Sequence, residues 1–398
     1  MTQYEYADAP ALPFSFNRQG PFYRLQRKLG LLSDTELNAA RRGLLFALLA
    51  WLPVIVLAAL QGVVLNAEHE RSALHDFSIH AAAIAIFAFV LMEASSERRM
   101  AWLVTQFVAH DIVGEESRAR FAALRLSCER RTGSWLAETA VFIAAGVLSF
   151  VWVTGAEYVP GGTWFGHVAG GELQLTWAGW WVRLVVLPLF WFLLGRWLWR
   201  FGVWAMMLRG IARSGLRLVA THPDRCGGIA FIGQYPNTYL LFVFALSTVA
   251  SASVLKLVVY GGVALSSFKF AAAGLLVFVL AVFVAPLFAF MPLLVGLKRH
   301  GLTTYGALVG RHHRAFEAKW GHAAASAPGD ELLGAPDMSS LADIAASYEA
   351  VKNMLPVPVT KESLVPLTVA VLLPMAAVAA TRAPFKQILD SLKGLLLL

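Results

Sequence analysis

The string Thr221-His222-Pro223-Asp224-Arg225-Cys226-Gly227-Gly228 brings an imidazole, a carboxylate and a thiol together at two-residue intervals. Those groups bind metals and move protons. On one loop, however, they supply three ligands in no standard zinc spacing. A loop of this kind can also hold an anion on its backbone amides, with Arg225 assisting. The plainer reading is a turn. Pro223 locks its φ, Asp224 caps local amides, and Gly227 and Gly228 admit positive φ. The residues marked here as a candidate ligand-binding loop are therefore His222, Asp224, Arg225, Gly227 and Gly228.

Other ionisable groups fall inside apolar stretches, where an unpaired charge costs at least about 2.5 kcal/mol. Glu138 lies one turn into one such stretch, and Arg196 lies near the end of the next at a similar depth. They are expected either to pair and pin two helices together or to snorkel separately to the membrane surface. His75, Asp76 and His80 open another stretch. Residues five apart share a helix face poorly, so His75 and His80 make a weak metal or haem pair. His80 is expected as an isolated buried or pore-lining imidazole. His110-Asp111 and His312-His313 are expected to be solvated. Pro286 and Pro292, and then Pro366 and Pro374, interrupt the last two apolar runs. Each frees a backbone carbonyl that protein or water must satisfy, as in the broken helices of transporters.

The elements that carry these groups are set by composition. The chain has 398 residues, 58% hydrophobic and 15% charged, against roughly 45–50% and about 25% in soluble domains. A bilayer dissolves so apolar a chain, and water does not. Apolar runs predict an all-α polytopic membrane protein with seven spans at 43–65, 74–94, 135–154, from about 178, 237–259, 270–296 and 364–380. The fourth is expected to run on as helix to about 217, projecting out of the membrane. Segments 1–42, 95–134, 218–236 and 297–362 are the polar connectors. The first of these is expected to be irregular to residue 32 and then capped by Ser33 and Glu36, with Leu32 on Leu37. A helix should then run unbroken from Asp34 into the first span. Residues 363–398 are expected to form a transmembrane or re-entrant helix and an amphipathic helix over 384–398. Leu341, Ile344, Tyr348, Val351 and Leu355 recur three and four apart, a packed seam two heptads long.

Twenty-six of the 33 Lys and Arg lie on one side of these spans. The positive-inside rule then puts the N-terminus in the cytoplasm, with a helical cytosolic layer built from residues 95–134, the 210–235 loop and 297–362. It also explains the net charge of +8 without nucleic acid. Cys128 and Cys226 fall in that layer and are expected to be free. No signal peptide is expected, because about 40 polar residues precede the first run. Seven of the 13 Trp fall between 177 and 204. All but Trp191 are expected at the headgroup layer.

Trp180-Trp181, the Arg-Trp-Leu-Trp-Arg run at 196–200 and the loop at 221–228 resemble a family of bacterial multi-pass inner-membrane proteins with a THPDRxGG loop. So do Tyr305-Gly306, Phe316 to Trp320, Leu332-Leu333-Gly334 and Ser340 to Asp343. The resemblance implies a bacterial inner membrane and carries no catalytic role, cofactor or metal. The His-Pro-Asp tripeptide also occurs in J-domain co-chaperones, but a soluble helical hairpin presents it there. No nucleotide-binding or hydrolase motif occurs in a suitable setting. The leading expectation is a channel or transporter for small ions or solutes, in contact with the lipid bilayer and assembled as a homo-oligomer. The rivals are a membrane enzyme centred on His222 and Asp224, and a non-catalytic sensor or scaffold.

Overall fold

The computed structural model describes residues 14–32, 37–65, 72–154, 163–169, 172–259, 262–321 and 336–380. Over these residues the chain is an α-helical bundle with one small hairpin. Six helical stretches are long and apolar enough to cross a membrane, and a bent pair makes a seventh. This is the architecture of a multi-pass membrane protein.

A short helix, α1 (Pro21–Lys28), precedes the first span, α2 (Ala39–Leu60). The second, α3 (Phe77–Ala109), has 33 residues, about 50 Å at 1.5 Å per residue. It therefore outreaches the apolar layer. Asp76 caps its start by accepting from the Ser78 amide at 2.9 Å. The same carboxylate takes the Trp164 indole N–H at 3.0 Å and lies 3.6 Å from the Lys256 ammonium. This knot ties three connections together at one end of the bundle.

At the other end lies α4 (Glu115–Thr132), which leads into the third span, α5 (Trp135–Thr154). Two antiparallel strands, β1 (Gly166–Ala169) and β2 (Glu172–Leu175), follow, paired Gly166 to Leu175. The next span starts as α6 (Trp177–Trp181), passes through a π turn at 182–186 and continues as α7 (Leu187–Ala212). Pro188 explains the wide turn. It has no N–H to give, and its ring crowds the carbonyl four residues earlier.

A 3-10 segment (Ala230–Tyr239) leads into α8 (Leu240–Val259). The sixth run breaks in two. Helix α9 (Lys269–Phe283) ends in a 3-10 turn (Ala285–Phe290), and α10 (Met291–Trp320) leaves at a bend of 42°. Pro286 and Pro292 stand at the start of the turn and of α10. By contrast α12 (Lys361–Ala380), reached after α11 (Pro336–Lys352), runs through both Pro366 and Pro374.

Helix α3 is central. It packs on α2 and α8, α8 packs on α12, and α7 packs on α5. The seam is aromatic, with Phe201 4.8 Å from both Tyr239 and Phe283 between ring centroids. Hydroxyl groups link the rest. Ser247 on α8 donates to the Val371 carbonyl, and Ser363 on α12 donates to that of Gly233.

Several expectations need correction. The segment before residue 32 contains α1, because Pro21 starts a helix whose Gln26 is buried. Helix α2 starts at Ala39, not at Asp34, since Asn38 takes φ 42° and breaks the run. The capping pair Ser33–Glu36 lies outside the described residues, as do the segment 384–398 and the Leu332–Gly334 motif. Trp197 and Trp204 are each 1% exposed. They fill the core because α7 is covered on that side by other helices, and only Trp177, Trp180 and Trp199 of this group are well exposed. The helix of the sixth run does not stop at 296, since α10 continues unbroken to Trp320.

Candidate functional site

Five charged side chains from four helices meet near the arginine-rich end of the bundle. Arg42 comes from the first turn of α2, Glu93 from the middle of α3 and Glu138 from the first turn of α5. Arg196 and Arg200 are four apart on α7, and so project from one face. Glu93 is the hub. Its Oε2 lies 2.8 Å from Arg42 Nη2, and its Oε1 lies 3.2 Å from Arg196 Nη1 and 3.4 Å from Arg200 Nη1. Arg196 also turns its Nε to Glu138 Oε1 at 2.8 Å. Glu138, at 12%, has the most exposed side chain of the five.

The N-terminal segment seals the cluster. Arg42 donates to Gln26 Oε1 at 2.6 Å and to the Leu37 carbonyl at 2.7 Å. The Phe22 amide donates to Glu138 at 2.9 Å, and its ring lies 4.6 Å under the Arg196 guanidinium. One turn beyond Glu93, Glu97 accepts from the amides of Phe16 at 3.0 Å and Asn17 at 2.6 Å, and from the Ser15 hydroxyl at 2.9 Å. Asn17 in turn donates to the Glu93 carbonyl and to Ser96, both at 2.8 Å. Residues 14–28 are therefore anchored to three spans by polar contacts.

The expected pairing of Glu138 with Arg196 is present, but as one edge of a larger figure. Glu93 falls at the end of the apolar run 74–94 and is not among the residues singled out from the sequence. Because α3 continues to Ala109, Glu93 faces inward among three guanidiniums. The available signal was Glu93 and Glu97, two acids one helical turn apart at the end of a 20-residue apolar run. Arg42 was grouped with flanking cations, although its place in the first turn of α2 faces Glu93.

The Asp224 loop is a joint. Asp224 Oδ1 accepts from the amides of Cys226 at 2.8 Å and Gly228 at 3.1 Å, and Oδ2 from that of Ala230 at 2.9 Å. His222 Nδ1 lies 2.8 Å from the same Oδ1. Burial alone would raise this carboxyl. The amides of Ala230, Cys226 and Gly228, with His222, outweigh it and hold Asp224 below the usual carboxylate range. Arg225 has φ 60°, Gly227 67° and Gly228 101°, which is why glycine fills two of those positions. The loop then grips its neighbours. The Leu355 amide donates to the Arg225 carbonyl at 2.8 Å, and Arg217 donates its amide to Ile112 at 2.8 Å. The Cys226 thiol is fully buried and pushed up to about 12 by burial and by the Asp224 charge. Both oxygens of the carboxylate are engaged by the loop's own amides and His222, and a thiol so buried has no thiolate to offer.

The histidines go to separate partners. His80 is not isolated. Its Nδ1 accepts from the Trp51 indole at 2.9 Å, and its Nε2 faces the Leu74 carbonyl at 3.0 Å. The His110 ring stands edge-on to Phe231, Asp111 pairs with Arg217 at 3.2 Å, and His312 meets Ser340 at 3.2 Å. Among the described residues no three His, Cys, Asp or Glu side chains are placed to hold a metal ion.

The chemistry on offer is that of fixed charge and a broken helix. The chain matches no family model, no curated protein and no solved structure, so its function is argued from this geometry alone.

Proposed function

We propose that this multi-pass membrane protein passes a small ion or solute across a bacterial inner membrane, as a channel or transporter. In this reading its N-terminus is cytoplasmic and its copies form a homo-oligomer. The observation that carries the reading is the broken run α9–α10. A 3-10 turn, Ala285–Phe290, separates two straight helices at 42°. The proline amides at 286 and 292 are missing, so the two halves are joined by fewer hydrogen bonds than a continuous helix has. Such a joint lets one half pivot on the other. Its neighbours are fixed, because the charge cluster locks α2, α3, α5 and α7 and the Asp224 joint locks the start of α8 to the connection before α12.

Helix α9 supports an oligomer or lipid contact, since Phe270 is 76% and Val277 65% exposed. The bias of Lys and Arg supports the orientation. A scaffold is the second reading. It is favoured by the hairpin of α10 and α11, which carries the polar end of the molecule beyond the apolar helices. The enzyme reading loses support, because both Asp224 oxygens are occupied.

The test is flux through liposomes containing the full-length protein, with monovalent cations, monovalent anions and small neutral solutes in turn. Transport predicts flux above empty vesicles for at least one class, altered several-fold by Pro286→Ala. Vesicles that hold every class as tightly as empty ones would sink it.

A further inference from the structure

The charge cluster does not balance. Arg42, Arg196 and Arg200 face Glu93 and Glu138, which leaves one guanidinium in excess inside a nearly closed site. Glu97 does not correct this, because it is taken by the N-terminal segment and by Arg18 at 3.8 Å. The excess lies at Arg200. Its side chain is 3% exposed, yet among the described residues it gives only Nη1 to Glu93, at the long distance of 3.4 Å. Its guanidinium also stacks 5.1 Å from the Trp197 ring. A buried, half-used guanidinium calls for a counter-anion.

A crevice beside it provides the place. It lies between α5 and α7 and is lined by Arg196, Arg200, Glu138, Thr132, Ser134 and Trp199. The crevice is open to the surroundings, and its space, counted together with that open side, is about 240 Å³. Inside it has room for about one water, so a larger group would seat at the open side. Ser134 stands just before α5, where its hydroxyl oxygen accepts from the Ala137 amide at 3.4 Å and keeps its own proton to donate. Trp135 and Trp199 are 60% and 37% exposed, the preference of tryptophan at the headgroup layer. Beyond the crevice Phe142 and Ile143, 64% and 60% exposed, continue an apolar track along α5. Glu138 opposes an anion, but Arg196 and the Phe22 amide already engage its two oxygens.

We propose that this crevice is a binding seat for a phosphate group. Arg200 and the Ser134 hydroxyl hold the oxygens, and the group comes from an anionic phospholipid headgroup or from free phosphate. The lipid source fits the track on α5, where an acyl chain would lie.

Native mass spectrometry of the full-length protein in detergent tests this, with phosphatidylglycerol and phosphatidylcholine offered in equal amounts. Phosphatidylglycerol should be retained in preference by about fivefold or more, the factor expected from one cation at a membrane surface. Arg200→Met leaves two guanidiniums against two carboxylates, so the cluster stays balanced while the preference disappears. Ser134→Ala alters no charge and should weaken the preference about twofold, as for one lost hydrogen bond. It keeps the test decisive if Arg200→Met fails to fold. A parallel arm adds inorganic phosphate. Displacement of the lipid by phosphate upholds the seat and makes the free anion its occupant, and a lipid preference unmoved by phosphate upholds it for the headgroup. Equal retention of both lipids with no phosphate adduct overturns the proposal. So does an Arg200→Met protein that still prefers phosphatidylglycerol.

Discussion

Arg196 on α7 is shared by two carboxylates, with its Nε 2.8 Å from Glu138 and its Nη1 3.2 Å from Glu93. The two acids belong to α5 and α3, so one guanidinium joins three spans. Arg42 extends the chain of charges to a fourth. In an apolar surrounding such a figure costs desolvation, and its members depend on one another for compensation. Its value to the fold is register. Sliding α7 by one turn past α3 and α5 would put one of Arg196 and Arg200 in the other's place, and so take a guanidinium from Glu93 and unsettle the pair with Glu138. Glycine allows the close approach on which this rests, because a Cβ at Gly195 would stand 2.7 Å from the Val141 side chain on α5.

Glu93→Gln should therefore be the most damaging single change in the bundle. It keeps the shape and leaves three guanidiniums facing one carboxylate. Removing one partner of a buried charge group costs about 3–5 kcal/mol. The midpoint of unfolding in mixed detergent micelles measures it, and a loss below about 1 kcal/mol would show that Glu93 is not the hub.

Glu138→Gln and Arg196→Gln should couple in a double-mutant cycle by about 0.5–3 kcal/mol. The Arg196 change should cost more alone, since it also strips Glu93. Exchanging the two charges should not rescue. An acid at 196 would stand beside Glu93, so the swapped protein should be less stable than either single variant. A swap that restores stability would mean that Glu93 and Arg196 do not interact.

The bundle itself was legible in the sequence because its cause is local. A run of about 20 apolar residues makes a span whatever surrounds it, and α5, α8 and α12 stand close to where hydropathy places them. Partnership was legible only where depth could be estimated from span ends, which is how Glu138 and Arg196 could be matched. Glu93 was hidden because helix α3 does not stop at the edge of its apolar run, although Met100, Leu103, Val104 and Phe107 recur at helical spacing beyond it and are all buried. Trp197 and Trp204 show the same limit. A tryptophan near a span end is interfacial only if that side of the helix meets lipid, and here Phe16 and Tyr235 cover Trp204 instead. Pro286 and Pro366 looked alike in sequence. The chain breaks at the first and runs through the second, which depends on neighbouring packing.

Gly301 lets α10 and α11 touch. A Cβ there would lie 2.8 Å from Val351 and 3.0 Å from Ala220, and one turn away Lys298 donates to the Met354 carbonyl at 2.9 Å. Gly301→Leu overpacks this contact and should cost about 1–3 kcal/mol. Protease cleavage between residues 321 and 336 should become faster as α11 loosens. Unchanged cleavage and unchanged stability would mean that the two helices separate freely.

Cys226 should resist alkylation in the folded protein. With its thiol pushed up to about 12, the reactive thiolate near neutral pH is scarcer by about a thousandfold than at an exposed cysteine. Maleimide labelling followed by peptide mass spectrometry should find Cys226 unmodified until the protein is denatured. Asp224→Asn removes a neighbouring negative charge and one of the two acceptor oxygens, so labelling should speed up in that variant. Rapid labelling of the native wild type would mean that the loop opens on its own.

Asp224 gives a pH signature whose direction follows from its hydrogen bonds. Its carboxyl is held below the ordinary value in the folded chain, so the folded state binds a proton less readily than the unfolded one. The stabilisation is then complete above the unfolded value, near 3.9, and is lost as pH falls through the lower folded value. At neutral pH Asp224→Asn should be less stable than wild type by about 1–3 kcal/mol, the usual cost of leaving buried amides without a good acceptor. The gap should stay level from pH 8 to about 5 and close below about 4, as the wild-type carboxylate takes up its proton. Thermal unfolding of both proteins across this range decides the matter. Two curves that remain parallel down to about pH 3 would show that the carboxylate charge contributes nothing to the joint.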